Sequence, residues 1–86
     1  MPHLGELYRS TSGAAQSVSV GASPFVFTAT RSGQLITTGG TVSLMEYARD
    51  GSYVGLGITA GPTYVAAGDS VRVTYTAAPT MTFIPS

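Results

Sequence analysis

The sequence has no cysteine, lysine, asparagine or tryptophan, and its one histidine is His3. The absence of cysteine excludes a disulfide framework and a thiolate metal site. His3 lies at the start of the chain, where residues are usually loosely ordered. Small domains of this size commonly depend on disulfides, a metal or partner subunits. We therefore expect no cofactor and no metal, and we expect partner subunits to supply the missing support.

Charge is also scarce. Charged residues make up 9% of the 86-residue chain, against about 25% in ordinary soluble domains. Four arginines balance two aspartates and two glutamates, so the formal net charge is zero. Serine and threonine supply polarity instead, and their hydroxyls cost less to remove from water than charged groups do. A free monomer of this composition is prone to associate, which predicts a homo-oligomer.

Several classes of partner are disfavoured by the same composition. Four scattered arginines do not form the basic patch that binding to nucleic acid requires. No apolar run reaches the roughly 18 to 20 residues of a membrane-spanning helix. The first residues, MPHLGELYRSTSG, have no basic region followed by an apolar run, so we expect no signal peptide. Nucleic acid and membrane are therefore not expected as partners.

From residue 18 onward, β-branched and aromatic residues recur with period two, which is typical of strands. Gly, Pro and Asp turn signals separate the runs at short intervals. The pattern predicts an all-β fold, a compact antiparallel β-sandwich of about seven or eight short strands. Both jelly-roll and immunoglobulin-like topologies fit it. The predicted strands cover residues 17–20, 24–31, 34–38, 41–49, 52–58, 63–66, 70–76 and 80–84. Residues 1–17 are predicted to form an N-terminal arm, and residues 18–86 the sandwich domain.

The run 41–49 and its turn carry two local expectations. Asp50-Gly51 predicts a type I′ hairpin turn, in which both central residues have positive φ. Regular alternation places Glu46 on the same face as Val42 and Leu44. A carboxylate on an apolar face needs a cationic partner.

Arg31 and Arg72 are the candidate partners for that carboxylate, and Glu46 with Arg72 is the predicted buried ion pair. Such a pair adds little net stability but is costly to break. The alternative is a β-bulge near Met45 that turns Glu46 toward solvent.

Catalytic signatures are weak. There is no G-x-S-x-G motif, and Asp50 and Asp69 fall in predicted turns, where Asp is favoured for backbone reasons. Residues 55–60, GLGITA, match G-x-G-x-x-A, but a dinucleotide site requires a helix directly after this motif. Gly61-Pro62 follows instead, so these glycines indicate strand bends or close sheet contact. We expect no catalytic residues and no enzyme activity.

Four stretches resemble small all-β virion proteins of tailed bacteriophages, in particular capsid decoration (cement) proteins. They are GASPF at 21–25, GGTVS at 39–43, RDG at 49–51 and GDSVRVTYTAAPTMTF at 68–83. The resemblance rests on the spacing of Gly, Thr and aromatic residues and excludes the arm. It implies a structural protein, made in the bacterial cytoplasm, that sits on the capsid exterior. Such proteins commonly form trimers and clamp neighbouring subunits of the major capsid protein.

Two groups of residues are predicted to make these contacts. Leu4, Leu7 and Tyr8 of the arm would lie across a neighbouring capsid subunit. Met81, Phe83 and Ile84 would form a subunit interface, because the final strand is apolar on both faces and edge strands usually carry charge. The alternative function is a phage tail or fibre component that contacts the host surface, with tyrosines that stack on a glycan.

Overall fold

The computed structural model describes residues 14–86, which form eight strands and no helix. The strands are β1 (Gln16–Val18), β2 (Phe25–Thr28), β3 (Gly33–Thr38), β4 (Thr41–Arg49), β5 (Ser52–Gly55), β6 (Gly61–Val65), β7 (Ser70–Ala77) and β8 (Thr80–Pro85). The all-β prediction is confirmed. The first strand begins at Gln16, one residue before the predicted strand 17–20 and within the predicted arm. The arm residues 1–13 lie outside the described part.

The eight strands form two antiparallel four-stranded sheets. Sheet I has the order β1-β8-β3-β6, and sheet II has the order β2-β7-β4-β5. The pairs β4–β5, β3–β6, β2–β7 and β1–β8 are nested, so the chain follows one long hairpin rolled into a sandwich. This is the eight-stranded jelly roll. Of the two topologies that the sequence allowed, the strand order therefore selects the jelly roll over the immunoglobulin-like fold.

The core lies between the two sheets and draws on both. Sheet I contributes Leu35, Val65, Met81 and Phe83, and sheet II contributes Met45, Val71 and Val73, all at most 3% exposed. Full burial of a side chain of this size contributes about 1.5–3 kcal/mol. Phe27 of sheet II meets Phe83 of sheet I with ring centroids 5.1 Å apart. This contact joins the layers directly.

Gly33 at the start of β3 lets this strand pack closely against β8. A Cβ placed there would lie 2.7 Å from the ring of Phe83 and 2.9 Å from Cα of Pro85. The backbone oxygen of Ile84 would be closer still. Any larger residue must push β3 away from β8, so glycine is required here for packing.

The turn between β4 and β5 follows the sequence prediction. Asp50 has φ of 53° and Gly51 has φ of 80°, which are the two positive values of a type I′ turn. The backbone twist of this turn matches the right-handed twist of the strands it joins. The Asp-Gly hairpin prediction is confirmed.

The prediction that Val42, Leu44 and Glu46 share a face is wrong. The register with β7 shifts on both sides of Val42, so a bulge precedes Leu44. Val42 therefore packs against the core, whereas Leu44 and Glu46 lie on the outer face of sheet II. The bulge lies earlier than the alternative near Met45 placed it, and Met45 is fully buried.

Candidate functional surfaces

The described residues offer surfaces rather than a cleft. No pocket is found over residues 14–86. No group of three or more His, Cys, Asp or Glu residues in that range could hold a metal ion. The same range contains no helix long and apolar enough to cross a bilayer. The chemistry of this part of the chain therefore has to be sought on the sheet faces, the sheet edges and the turns.

One polar cluster centres on Asp69. Its carboxylate accepts hydrogen bonds from the Tyr47 hydroxyl at 2.6 Å and from Arg49 Nη2 at 2.7 Å, with Arg49 Nε at 3.0 Å from the second oxygen. The Arg49 hydrogen bonds, and then that of Tyr47, lower the pKa of Asp69. Burial, together with the Asp69 carboxylate, raises the pKa of Tyr47. The Ala66 amide donates to the same hydroxyl.

These contacts give Asp69 a structural role. Its side chain is only 7% exposed, and its two oxygens are already occupied by Arg49 and Tyr47. The cluster fastens the turn between β6 and β7 to β4. The sequence placed Asp69 in a turn but gave no sign of its two partners, which lie about twenty positions earlier in the chain.

The second charged cluster lies on the outer face of sheet II. Arg72 Nη2 is 2.8 Å from Glu46 Oε1, and Arg72 Nε also donates to that oxygen. The guanidinium carbon of Arg72 lies 3.8 Å from the centre of the Tyr53 ring, within the range of a cation–π contact. The Arg72 and Glu46 side chains are 33% and 16% exposed. Arg72 and not Arg31 is the partner of Glu46, and the pair is partly buried rather than in the core.

Arg31 makes a different contact, since its Nη2 donates to the carbonyl of Ser86 at 3.1 Å. The Ser86 amide in turn donates to the carbonyl of Ser32. The last residue is therefore held against the loop between β2 and β3. The start of β3 and the end of β8 meet at this point, where Gly33 pairs with Pro85.

The predicted subunit-interface residues divide into two groups. Met81 and Phe83 are 1% and 3% exposed and belong to the core of their own chain. They leave no surface for another subunit, and the interface prediction is corrected for both. Ile84 is 42% exposed on the outer face of sheet I. β8 lies between β1 and β3, so the apolar final strand is not an edge.

Among residues 14–86, the outer face of sheet I, here called the neutral face, carries no side chain of Asp, Glu, Lys, Arg or His. Ile84 pairs with Gln34, which pairs in turn with Tyr64. Tyr64 is 60% exposed. The face consists of Ser17, Gln34, Ile36, Thr38, Pro62, Tyr64, Thr80, Thr82 and Ile84. The four strands of sheet I have three, six, six and five residues, and at about 3.3 Å per residue and about 4.8 Å per strand they cover about 300 Å² in projection.

The tyrosines do not form a common patch in residues 14–86. Tyr47 and Tyr75 face the core side of sheet II, and the Tyr75 hydroxyl donates to the carbonyl of Gly21. Tyr53 lies under Arg72 on the outer face of sheet II, and Tyr64 lies on the opposite side of the sandwich. These four side chains provide no shared stacking surface for a glycan.

The arm contacts Leu4, Leu7 and Tyr8 lie outside the described residues, and their role stays a prediction. The sequence predicted only part of the neutral face, because alternation in β8 identified Ile84 but not its neighbours across the sheet.

Comparison with protein families, curated proteins and solved structures finds no match to this chain.

Proposed function

We propose that the chain is a non-enzymatic structural protein of a phage virion that decorates the capsid by binding across neighbouring capsid subunits. The virion setting comes from the sequence resemblance. The jelly roll is compatible with it, but viral capsid proteins, lectins and cupins also use this architecture. Fold alone therefore does not carry the proposal.

The neutral face is the observation that carries the binding role. Its exposed side chains are aliphatic, aromatic, hydroxyl or amide groups, with Ile84 and Tyr64 as the large apolar ones. Charged residues are depleted and aromatic residues enriched at the centres of protein interfaces. The charged groups of the described chain lie elsewhere, on sheet II and in the turns. The neutral face fits a protein surface of matching low charge.

The absence of a pocket and of a metal-binding group in residues 14–86 is compatible with a structural role. The Asp69 and Glu46 carboxylates are each engaged by an arginine. The projected area of about 300 Å² is less than half of the roughly 800 Å² per partner in a standard interface. One face alone therefore predicts weak attachment.

Cosedimentation with purified capsids of the phage that encodes the chain tests the proposal. We expect the wild-type chain to bind, and Ile84→Lys to weaken binding at least about tenfold, because the buried ammonium group would have no partner. Leu44→Lys is the matched control, since Leu44 is equally exposed at 42% but lies on sheet II. We expect this control to bind within about twofold of wild type. A wild-type chain that stays in the supernatant refutes the proposal.

A further inference from the structure

Four strands form the edges of the two sheets, and β5 differs from the other three. Each of its residues is exposed, and none is charged or proline. Pro62 interrupts the edge of β6, and β1 has three residues. β2 follows Pro24 and half-buries Phe25 and Phe27. Edge strands are normally protected by charge, proline or short length, so within residues 14–86 β5 is left open to pairing.

The direction of its backbone groups follows from the ladder with β4. The Leu56 amide donates to the Met45 carbonyl at 2.9 Å. Backbone groups alternate in direction along an antiparallel strand, so the amide and carbonyl of Val54 also point toward β4. The amides and carbonyls of Tyr53 and Gly55 therefore point away from β4, toward the open edge.

We propose that β5 pairs antiparallel with β5 of a second copy of this chain about a two-fold axis through Val54. In this register Tyr53 of each copy exchanges two hydrogen bonds with Gly55 of the other. Four backbone hydrogen bonds form, and the two Val54 side chains face each other across the axis. The pairing is isologous, as a two-fold dimer requires. Sheet II becomes a continuous eight-stranded sheet.

Two side-chain observations favour a second copy of the chain as the partner that pairs with the open edge of β5. Val54 is 66% exposed, the highest value among the large hydrophobic residues of the described chain, and pairing covers it with its own equivalent. Gly55 has no positive φ, and a Cβ added to it would meet nothing within 4 Å. Nothing within the described chain requires glycine there. In the proposed register, Gly55 lies opposite the Tyr53 ring of the other copy, where a side chain would compete for the same space.

The symmetry has a functional consequence that rests on the proposed function. A two-fold axis perpendicular to the joined sheet keeps both copies of sheet I on the same side. Both neutral faces then point in one direction and together offer about 600 Å² in projection, which is closer to the roughly 800 Å² per partner of a standard interface. A dimer would therefore contact two neighbouring capsid subunits at once. This arrangement replaces the trimer that the sequence resemblance implies.

Sedimentation equilibrium of the purified full chain tests the dimer without any capsid. We expect the mass to rise from monomer toward dimer between about 1 µM and 1 mM. Val54→Lys places two like charges across the axis and should raise the dissociation constant at least about tenfold. Tyr64→Lys, at another highly exposed position, should leave it within about twofold. A trimeric mass, or dissociation by Tyr64→Lys but not by Val54→Lys, overturns the proposal.

Disulfide trapping tests the register. The chain has no cysteine, so Val54→Cys introduces a single thiol. Directly opposed Cβ atoms lie about 4.5–5.5 Å apart, close to the separation in a disulfide. We expect a covalent dimer for Val54→Cys under mild oxidation. Ser52→Cys should give none, because its equivalent lies about 13 Å away. A monomer at 1 mM with no trapped Val54→Cys dimer, or equal trapping of Ser52→Cys, overturns the proposal, whatever the outcome with capsids.

Discussion

Replacing Thr37 with valine should stabilise the protein. Thr37 is 0% exposed, and its hydroxyl, like that of Thr63, is a buried side-chain group of residues 14–86 with no hydrogen-bond partner. An unpaired buried hydroxyl costs about 1–3 kcal/mol in proteins. Valine has nearly the same shape, so the packing of β3 is kept. We expect the free energy of unfolding to rise by roughly 1–2 kcal/mol.

For a domain of this size, each 1 kcal/mol shifts Tm by about 4–8 °C. Thermal and urea unfolding would measure the change, and an unchanged urea m value would show that the same surface is exposed on unfolding. Thr38→Val, on the exposed side of the same strand, should change stability by less than about 0.5 kcal/mol. Val65→Thr, which buries a new hydroxyl, should cost about 1–3 kcal/mol. A Tm for Thr37→Val at or below that of wild type refutes the reasoning.

Two further changes probe packing and charge. Gly33→Ala should lower the free energy of unfolding by about 1–3 kcal/mol, because the added carbon meets the backbone of Ile84; urea unfolding that matches the control Gly21→Ala, whose added carbon would make only ordinary contact with Phe25, would contradict this. Asp69 has a folded-state pKa below its unfolded value because Arg49 donates to it, so its contribution to stability is present above the unfolded pKa and is lost as pH falls through the folded pKa. The Tm difference between wild type and Asp69→Asn should therefore be constant above about pH 5 and shrink below about pH 4; a difference that is undiminished at about pH 2 would contradict this.

The features that the sequence predicted well are local. The strand runs and the Asp50-Gly51 turn depend on alternation and on backbone preferences within a few residues. The predicted strand 52–58 is too long because Gly57 has φ of 75°, which turns the chain after Gly55. The bulge before Leu44 has no glycine or proline to indicate it. It nevertheless changes which side of the strand faces the core.

The features that the sequence did not predict depend on pairing between distant residues. Strand order cannot be read from periodicity, so the sequence pattern fits the jelly roll and the immunoglobulin-like fold equally well. The pairing of β1 with β8 and the other nested pairs distinguish the two folds. Alternation identified Ile84 as opposite to Phe83, but the register of β3 with β6 decides that Tyr64 lies in the same row. The Asp69 cluster likewise forms only because β4, which carries Tyr47 and Arg49, lies beside the turn between β6 and β7.

The nested pairing of the strands has a consequence for the order of folding. β4 and β5 are joined by a two-residue turn, whereas the β1–β8 ladder pairs Gln16 with Phe83, almost the full described chain apart. The entropy lost on closing a loop grows with its length, but each inner pair shortens the loop that the next pair must close. Folding is therefore expected to proceed like a zipper from the Asp-Gly tip toward the chain ends. β8, which supplies Ile84 to the neutral face, would be among the last strands to be secured.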